Sequence, residues 1–479
     1  MLDIDLYHTL TRLIHSIGLT PVDIRPLAES GSSRKYFRIT TEGSSVMGTY
    51  NANVEENESF FYLSKHFSER NLPVPKVLAI NEERNCYLQT DFGDDTLFRH
   101  VQSALVAGSY DATTVGLFHS VLEQLVRFQV EGHNGLDYNK VYPTPCFDKS
   151  GVMDDLDYFK YYFVKPHAEI VFNEQRLKDE FGAFADLICQ APNAFFMYRD
   201  FQSRNVMIQD NKPYFIDFQG GRKGPLTYDV VSLLYQVKAQ MPQTLRDELL
   251  DYYKKVLAQF VDLASLDFDH YYPYFVYLRL MQVLGAYGFR GLIQKKAHFM
   301  ESIPFALKEL GNWTECYPLE DFPELRNVIL QVCGLLQRYE THLSENQQLN
   351  VVVNSFSFKK GYPEDFSGNG GGFVFDCRAL PNPGRETQFK TKTGRDWEVE
   401  EYLLEKPQTH EFMNYVKGIL AQSIENYLER HFTHLMVSFG CTGGQHRSVF
   451  FAQQIADWIK ASYPTIKVNI NHIEQHIHE

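Results

Sequence analysis

Two aspartates and an asparagine within eighteen positions carry the first chemical signal. Asp200 stands in Tyr198-Arg199-Asp200-Phe201, Asn205 follows five residues later, and Asp217 stands in Phe215-Ile216-Asp217-Phe218-Gln219. Between them lie Val206-Met207-Ile208 and Tyr214-Phe215-Ile216, two apolar runs around the polar Asp210-Asn211-Lys212-Pro213. That pattern predicts a β-hairpin, whose two ends lie side by side. The hairpin would bring Asp200, Asn205 and Asp217 to one mouth. A carboxylate to orient and deprotonate a hydroxyl, with an amide oxygen and a second carboxylate as hard ligands for magnesium, is what phosphoryl transfer needs. A single aspartate in a loop more often serves a turn; the ordered set of three sets this stretch apart.

Such a mouth must be faced by groups that hold a nucleotide. Upstream, residues 22–27 and 36–40 read as strands around a turn containing Ser30, Gly31, Ser32 and Ser33, and a Gly/Ser turn can aim backbone N–H groups at phosphates. Arg34, Lys35 and Arg38 follow it as candidate cations. A third strand, residues 45–50, contains Val46-Met47-Gly48-Thr49 and no lysine. Residues 55–69 are expected to be helical, with Glu56 or Glu58 turned toward the phosphates. Gln89 through Asp95, which includes Asp91, has the polar, glycine-containing look of a hinge whose backbone would read a base edge. From about residue 96 to 338 the apolar spacing is helical apart from the hairpin. Asp229, after Gly224-Pro225, is expected to open and cap a helix and to brace the loop around Asp200.

Four pieces together carry a resemblance: Arg34-Lys35-Tyr36-Phe37-Arg38; Asp91-Phe92-Gly93-Asp94; Arg199-Asp200 with Asn205; and Asp217-Phe218-Gln219 through Gly224-Pro225 to Tyr228-Asp229. Residues 1–340 resemble the aminoglycoside-phosphotransferase-like branch of the protein-kinase fold. Within it they are most similar to bacterial kinases that phosphorylate N-acetylmuramate and N-acetylglucosamine at the anomeric hydroxyl. The resemblance implies an α+β bilobal fold with an N-lobe over 1–92 and a helical C-lobe over 93–340. It implies ATP and Mg2+ as cofactors, Asp200 as the catalytic base, and Asn205 and Asp217 at the metal. Ser30, Gly31, Ser32, Ser33, Arg34, Arg38, Gln89 and Asp91 would lie around the nucleotide, with a small sugar as the acceptor. Two departures stand out: Tyr198 occupies a position where the family usually has histidine, and the strand lysine is missing, as it also is in the sugar-kinase subgroup.

Length and charge bound the rest. At 479 residues the chain exceeds one ordinary core, and about three lobes or domains are expected. No run of eighteen apolar residues occurs, so no membrane-spanning helix is expected. Residues 1–13 are acidic and then amphipathic, unlike a signal peptide. The seven cysteines are scattered with no Cys-x-x-Cys pair, which fits free thiols in a reducing cytoplasm. Of the formal charge of −14, residues 350–479 carry −2, so neither part has the basic balance of a dedicated nucleic-acid binder.

A polar stretch near residues 340–350 reads as a linker, and after it strand and helix alternate, which predicts a small α/β domain with a largely parallel sheet. Between a predicted strand (residues 435–439) and helix (448–459) lies Gly440-Cys441-Thr442-Gly443-Gly444-Gln445-His446-Arg447-Ser448. A glycine-rich turn opening a helix directs N–H groups at an anion, and an arginine can add a bidentate bond. Together with Ser355 to Pro363, Phe373-Val374-Phe375-Asp376-Cys377-Arg378, Leu380-Pro381-Asn382-Pro383 and Thr393-Gly394, this loop resembles the C-terminal domain of RapZ-type proteins over residues 350–475. That resemblance implies a site for a phosphorylated amino sugar built from Asp376, Cys441, Thr442, Gly443, Gly444, His446, Arg447 and Ser448. The resemblance also implies a small-RNA partner, although the family's basic tail is replaced here by a histidine-rich end, expected to be frayed; Gly384 stands where histidine is common at a sugar-binding position. The other half of RapZ is absent as well, since no Gly-x-x-x-x-Gly-Lys-Ser/Thr loop occurs. Two further readings compete: a non-enzymatic amino-sugar-phosphate sensor acting on a protein or RNA partner, and a cysteine phosphatase, since Cys441 and Arg447 satisfy the Cys-x5-Arg spacing.

Overall fold

The computed structural model describes residues 4–27, 34–340, 349–365, 372–429 and 432–478. Ser30, Gly31, Ser32 and Ser33 lie outside them. The chain divides into two compact units, Met1–Leu336 and Gln337–Glu479.

The first unit begins with helix α1 (Ile4–Ser16) and an antiparallel sheet of β1 (Pro21–Pro26), β2 (Lys35–Thr41), β3 (Ser44–Tyr50), β4 (Val77–Ile80) and β5 (Cys86–Thr90), ordered β1-β2-β3-β5-β4. Alternation gives the sheet two different faces. Phe37, Ile39, Val46, Cys86 and Leu88 turn to one side and are buried under Leu10, Leu13 and Ile14 of α1. Helix and strand touch at Gly48, where a Cβ would come within 2.7 Å of the Leu10 side chain. Thr49 and Tyr87 turn to the other side as cross-strand partners. Helix α2 (Val54–Ser68) covers that face, with the rings of Phe60 and Phe61 centred 5.3 and 4.9 Å from Tyr87.

Helices then dominate: α3 (Leu97–Ala107), α4 (Ala112–Val130), α5 (Lys149–Phe159), α6 (Glu174–Gln190), α7 (Leu226–Leu234), α8 (Gln243–Leu257), α9 (Phe268–Tyr287), α10 (Ala297–Met300), α11 (Ile303–Cys316) and α12 (Pro323–Gly334). Two small antiparallel pairs interrupt them, β6 (Phe195–Met197) with β9 (Arg222–Gly224), and β7 (Val206–Gln209) with β8 (Lys212–Phe215). The second pair is the hairpin expected between Asn205 and Asp217. A cluster of rings fixes it from below: Phe128 packs on Phe215 and Tyr198, and Phe67 of α2 packs on Phe128, Phe196 and Phe218. Phe67 therefore fastens the first sheet's helix to the hairpin. The aromatic run at Tyr271–Phe275 is part of α9; Tyr272 and Phe275 are buried in the core.

Two expectations need correction. Helix α7 starts at Leu226 with Pro225 as its cap residue, so Asp229 sits inside the first turn rather than capping it. The histidine-rich segment is ordered through His478 rather than frayed. His472 is buried with its ring 2.9 Å from the Ser355 hydroxyl, and Asn471 pairs with His478 across the last two strands.

The second unit holds β10 (Asn350–Ser357), β11 (Gly372–Asp376), β12 (His434–Cys441), β13 (Lys467–His472) and β14 (Ile477–His478), ordered β11-β12-β10-β13-β14. The first four are parallel and the last pair antiparallel. Parallel neighbours need crossovers; α13 (Trp397–Leu404) and α14 (Pro407–Glu429) precede β12, and α15 (Arg447–Ser462) links β12 to β13. Apolar residues of β10, β12, β13, α14 and α15 form one core. The register places Ser357 opposite Cys441, and Asp376 opposite Gly440, at one end of the sheet.

Candidate functional site

Asp200, Asn205 and Asp217 converge as the hairpin requires. Asn205 is buried, and its Nδ2 donates to the Asp200 carbonyl (2.9 Å) and to Asp217 Oδ2 (3.2 Å). Gln219 Nε2 donates to Asp217 Oδ1 at 2.8 Å. The Asp200 side chain is exposed. Burial, and then the charge of Asp200, raise the Asp217 carboxyl above the usual aspartate value. A divalent cation fits this set. The two carboxylates repel each other, and the Asn205 amide nitrogen is committed to its loop while its oxygen accepts no bond among the described residues.

The backbone here is held away from its resting geometry. Arg199 and Asp217 have φ of +78° and +67°, which for residues with a side chain costs on the order of 1–3 kcal/mol each. Asp229 holds the first bend: its carboxylate accepts the N–H groups of Tyr198 (2.7 Å) and Arg199 (2.9 Å). Tyr198 ties the two loops together, its hydroxyl donating to the carbonyl of Ile216 at 2.6 Å. A tyrosine thus bridges the Asp200 loop to the residue before Asp217.

A cation other than a strand lysine stands beside Asp217. Arg34, 5% exposed, brings Nη2 to 2.9 Å from Glu56 Oε1 and Nη1 to 3.9 Å from Asp217 Oδ1. Glu56 is itself anchored by Asn51 Nδ2 at 2.9 Å. Of the two expected glutamates, Glu58 instead pairs with the exposed Arg84, a surface contact of small energetic weight. Arg34 Nε and Nη2 are buried with no well-aligned acceptor. Donors in that state suit an incoming oxyanion, because a buried donor left unmet costs about 1–3 kcal/mol. Arg38, expected at the nucleotide, is engaged elsewhere. It bonds Asp91 (2.7 Å), Asp94 (2.7 Å) and the Gly93 carbonyl (3.0 Å), and Ser45 also donates to Asp91. Arg38 and Asp91 therefore clamp the hinge. Gln89 is buried and donates to Thr49 at 2.9 Å on the face that Tyr87 shares.

Beneath Asp200 lies a network that the sequence did not announce. Arg199 makes a two-pronged pair with Asp155 (2.7 and 2.9 Å) and donates to the Tyr228 hydroxyl (2.7 Å). Gln282 Nε2 donates to Asp155, and its Oε1 accepts from Arg279 (2.7 Å) and Tyr228 (3.2 Å). Asp155 shares the buried stripe of α5 with Val152, Leu156 and Phe159. A carboxylate at helical spacing among apolar residues was the available signal.

In the second unit the Cys441–Ser448 loop opens α15 from the end of β12. Cys441 Sγ accepts the N–H of Gly444 at 3.2 Å and lies 3.2 Å from Ser448 Oγ. Gly444 has φ of +67°, which lets the loop curl over the sulfur. Burial would raise the Cys441 thiol, but the Ser448 hydroxyl and the N–H groups of Ser448, Gly444 and Gly443 offset it and hold the thiol below its ordinary value. Arg447 is buried and turns Nη1 to the carbonyls of Arg378 (2.8 Å) and Leu380 (3.0 Å). His446 is bonded to the Phe389 carbonyl and Thr442 to the Ser357 hydroxyl through its own carbonyl. Asp376 pairs with Arg378. The side chains thus shape the loop through the backbone around it.

The model of the phosphotransferase enzyme family matches residues 23–268, just over half of the chain. The chain belongs to that family. Its first unit is the two-lobed kinase-like fold, and the model of the RapZ C-terminal domain matches residues 349–476. A nucleotide-binding protein of Solibacter usitatus is 38% identical over 125 residues, which are 26% of this chain and 38% of that one. Another nucleotide-binding protein, from Clostridium botulinum, is 37% identical over 158 residues, 33% of this chain and 49% of the relative. The chain spans half or less of these curated relatives. Among solved structures, the amicoumacin kinase hAmiN in complex with AMP-PNP, Ca2+ and Ami superposes with a TM-score of 0.46 at 12% identity, over 72% of this chain and 94% of that one. A Plasmodium vivax ethanolamine kinase gives 0.44 at 12% identity, over 62% and 83%.

In the first unit, then, Asp200, Asn205, Asp217 and Arg34 lie together, and Arg38 joins Asp91 to Asp94. The proposed anion loop occupies the second unit. Among the described residues no helix is long and apolar enough to cross a membrane.

Proposed function

We propose that this chain is an ATP- and magnesium-dependent kinase that phosphorylates the anomeric hydroxyl of an N-acetylated amino sugar. Its C-terminal domain would bind a phosphorylated amino sugar. The observation that carries the reading is the meeting of Asp200, Asn205 and Asp217 beside the buried Arg34 and its partner Glu56. Asp200, exposed at the mouth, orients the acceptor hydroxyl and takes its proton. Asn205 and Asp217 hold the metal. Bound there, magnesium supplies positive charge to the β- and γ-phosphate oxygens. Arg34 supplies the remaining positive charge, with Glu56 keeping its guanidinium in place. Tyr198 and Asp229 keep the two strained loops in register, so the reacting groups need no reorganisation when substrate arrives.

The amino-sugar assignment rests on two resemblances, that of the first unit to sugar kinases and that of the second to a phosphosugar-binding domain. Purified protein with ATP, magnesium and N-acetylmuramate or N-acetylglucosamine should yield the sugar 1-phosphate, identified by phosphorus NMR. Phosphorylation of some other metabolite with neither sugar turned over would remove the substrate assignment. Full activity in Asp200→Asn would remove the mechanism. Chelation should stop the reaction and added magnesium restore it.

A further inference from the structure

Buried arginines normally end on a carboxylate, because an unpaired charge out of water costs several kcal/mol. Arg199 obeys the rule through Asp155. The buried Arg279 and the half-exposed Arg222 nearby do not. Arg279, on α9, is 6% exposed; Nη1 ends on the neutral Gln282 amide oxygen and Nε has no acceptor at all. Arg222, on β9, donates to the Gly220 carbonyl (3.1 Å) and the Thr144 hydroxyl (2.9 Å). Neither makes an ion pair with a carboxylate among the described residues. Burial first, and then the charge of Arg199, lower the Arg222 pKa, with Asp155 and Asp200 opposing from the same neighbourhood. Asp155 is thus committed to Arg199, with Arg279 one step away through Gln282 and Arg222 in the same charged neighbourhood as the exposed Asp200.

We propose that Arg279 and Arg222 form an anion subsite on the acceptor side of the cleft, so that the molecule Asp200 activates carries a carboxylate or a phosphate of its own. The Arg199–Asp155–Gln282–Tyr228 network holds Arg279 in place while sparing Nε for the ligand. Arg34 is excluded from this role, since it lies by Glu56 and Asp217 on the nucleotide side. The identity of the acceptor rests on the kinase reading above; the existence of the subsite does not.

The test is a matched series of sugars titrated into the full chain by calorimetry, with a non-hydrolysable ATP analogue saturating the nucleotide side. N-acetylglucosamine is neutral, N-acetylmuramate adds a carboxylate, and N-acetylglucosamine 6-phosphate adds a phosphate. At least one anionic sugar should bind about tenfold to a hundredfold tighter than the neutral one, the range expected of one or two charge-assisted hydrogen bonds. Which of the two it is tells a carboxylate reader from a phosphate reader. Arg279→Met and Arg222→Met should each erase most of the preference, and Arg279→Lys should keep part of it.

Melting temperature separates this role from a structural one. Removing a buried charge that has no carboxylate partner should leave the ligand-free Arg279→Met protein at least as stable as wild type, since the Gln282 oxygen keeps its bond from Tyr228. A clear fall would assign Arg279 to the core and overturn the subsite. So would equal affinity for neutral and anionic sugars, or an anion preference unchanged in both methionine variants, which would place the anion elsewhere, for example in the second unit. If no sugar is phosphorylated yet the Arg279-dependent preference remains, the kinase reading falls and the subsite stands.

Discussion

Arg34 brings a cation to Asp217 from outside the strand that lacks a lysine. A cation between a helix glutamate and the metal-loop aspartate is needed wherever phosphates are to be held there. The strand position has none, and Arg34, just before β2, reaches the same space and finds Glu56 at 2.9 Å. Arg34→Met should raise the KM for ATP by about tenfold to a hundredfold, the loss expected for charge-assisted bonds to phosphate, with the KM for the acceptor little changed. Arg34→Lys should recover part of it, since a lysine keeps the charge but not the two-pronged geometry. Steady-state kinetics with each substrate varied would decide this; equal damage to both KM values would count against it.

Asp229 gives a second prediction at this scale. An aspartate in the unfolded chain titrates near 3.9, whereas burial pushes Asp229 up to about 7 in the folded protein. Between these values the folded state holds a proton that the unfolded state has released. The contribution to stability is therefore fully present below about pH 4 and is lost as pH rises toward 7. Asp229→Asn cannot titrate. The stability of wild type relative to this variant should fall by a few kcal/mol, at most about 4, between pH 4 and 7, measured by denaturant unfolding. A relative stability that is flat or rises with pH would refute it.

Among the elements, the hairpin was legible because its signal is local. Two apolar runs and a polar turn fix a strand pair, and the strand pair fixes where Asn205 and Asp217 sit. The alternation in the second unit was legible for the same reason. The Asp155–Arg199–Gln282 network was not, because its members come from α5, the loop after β6, and α9, and only the folded chain brings them together. The partners of Arg38 were hidden on similar grounds: its spacing from Arg34 said nothing of Asp91 and Asp94, more than fifty residues on. Asp229 was placed near the right helix end and braces the Asp200 loop as expected, but proline took the cap. The bridge between the loops can be tested at Tyr198. Tyr198→Phe leaves the Ile216 carbonyl without its donor, which should cost about 1–3 kcal/mol of stability. It should lower kcat more than it alters either KM, because Asp217 loses its register with Asp200. A phenylalanine variant with unchanged kcat and unfolding midpoint would show that ring packing alone holds the loops.

For the molecule as a whole, two separate cores predict two separable stabilities. Each unit contains a buried apolar cluster of its own. A fragment comprising residues 349–479 should fold alone, as judged by a cooperative thermal transition, and should bind glucosamine 6-phosphate through the Cys441–Ser448 loop. Cys441→Ser should leave phosphate release from a model ester at background, as in wild type, if the loop binds without reacting. A cysteine-dependent release of phosphate would instead favour the thiolate chemistry that the Cys-x5-Arg spacing permits.

The Arg34 substitution has a consequence for chemical probing. Electrophilic nucleotide analogues that label kinases acylate the strand amine that faces the phosphates. Here residues Val46 to Thr49 offer no amine, and the guanidinium in its place is a poor nucleophile. Such reagents should leave this cleft unmodified while reversible adenine-directed ligands still enter it. A competitive inhibitor built to grip a guanidinium, with a carboxylate where others place a lysine-seeking group, would discriminate between this cleft and those that keep the strand lysine.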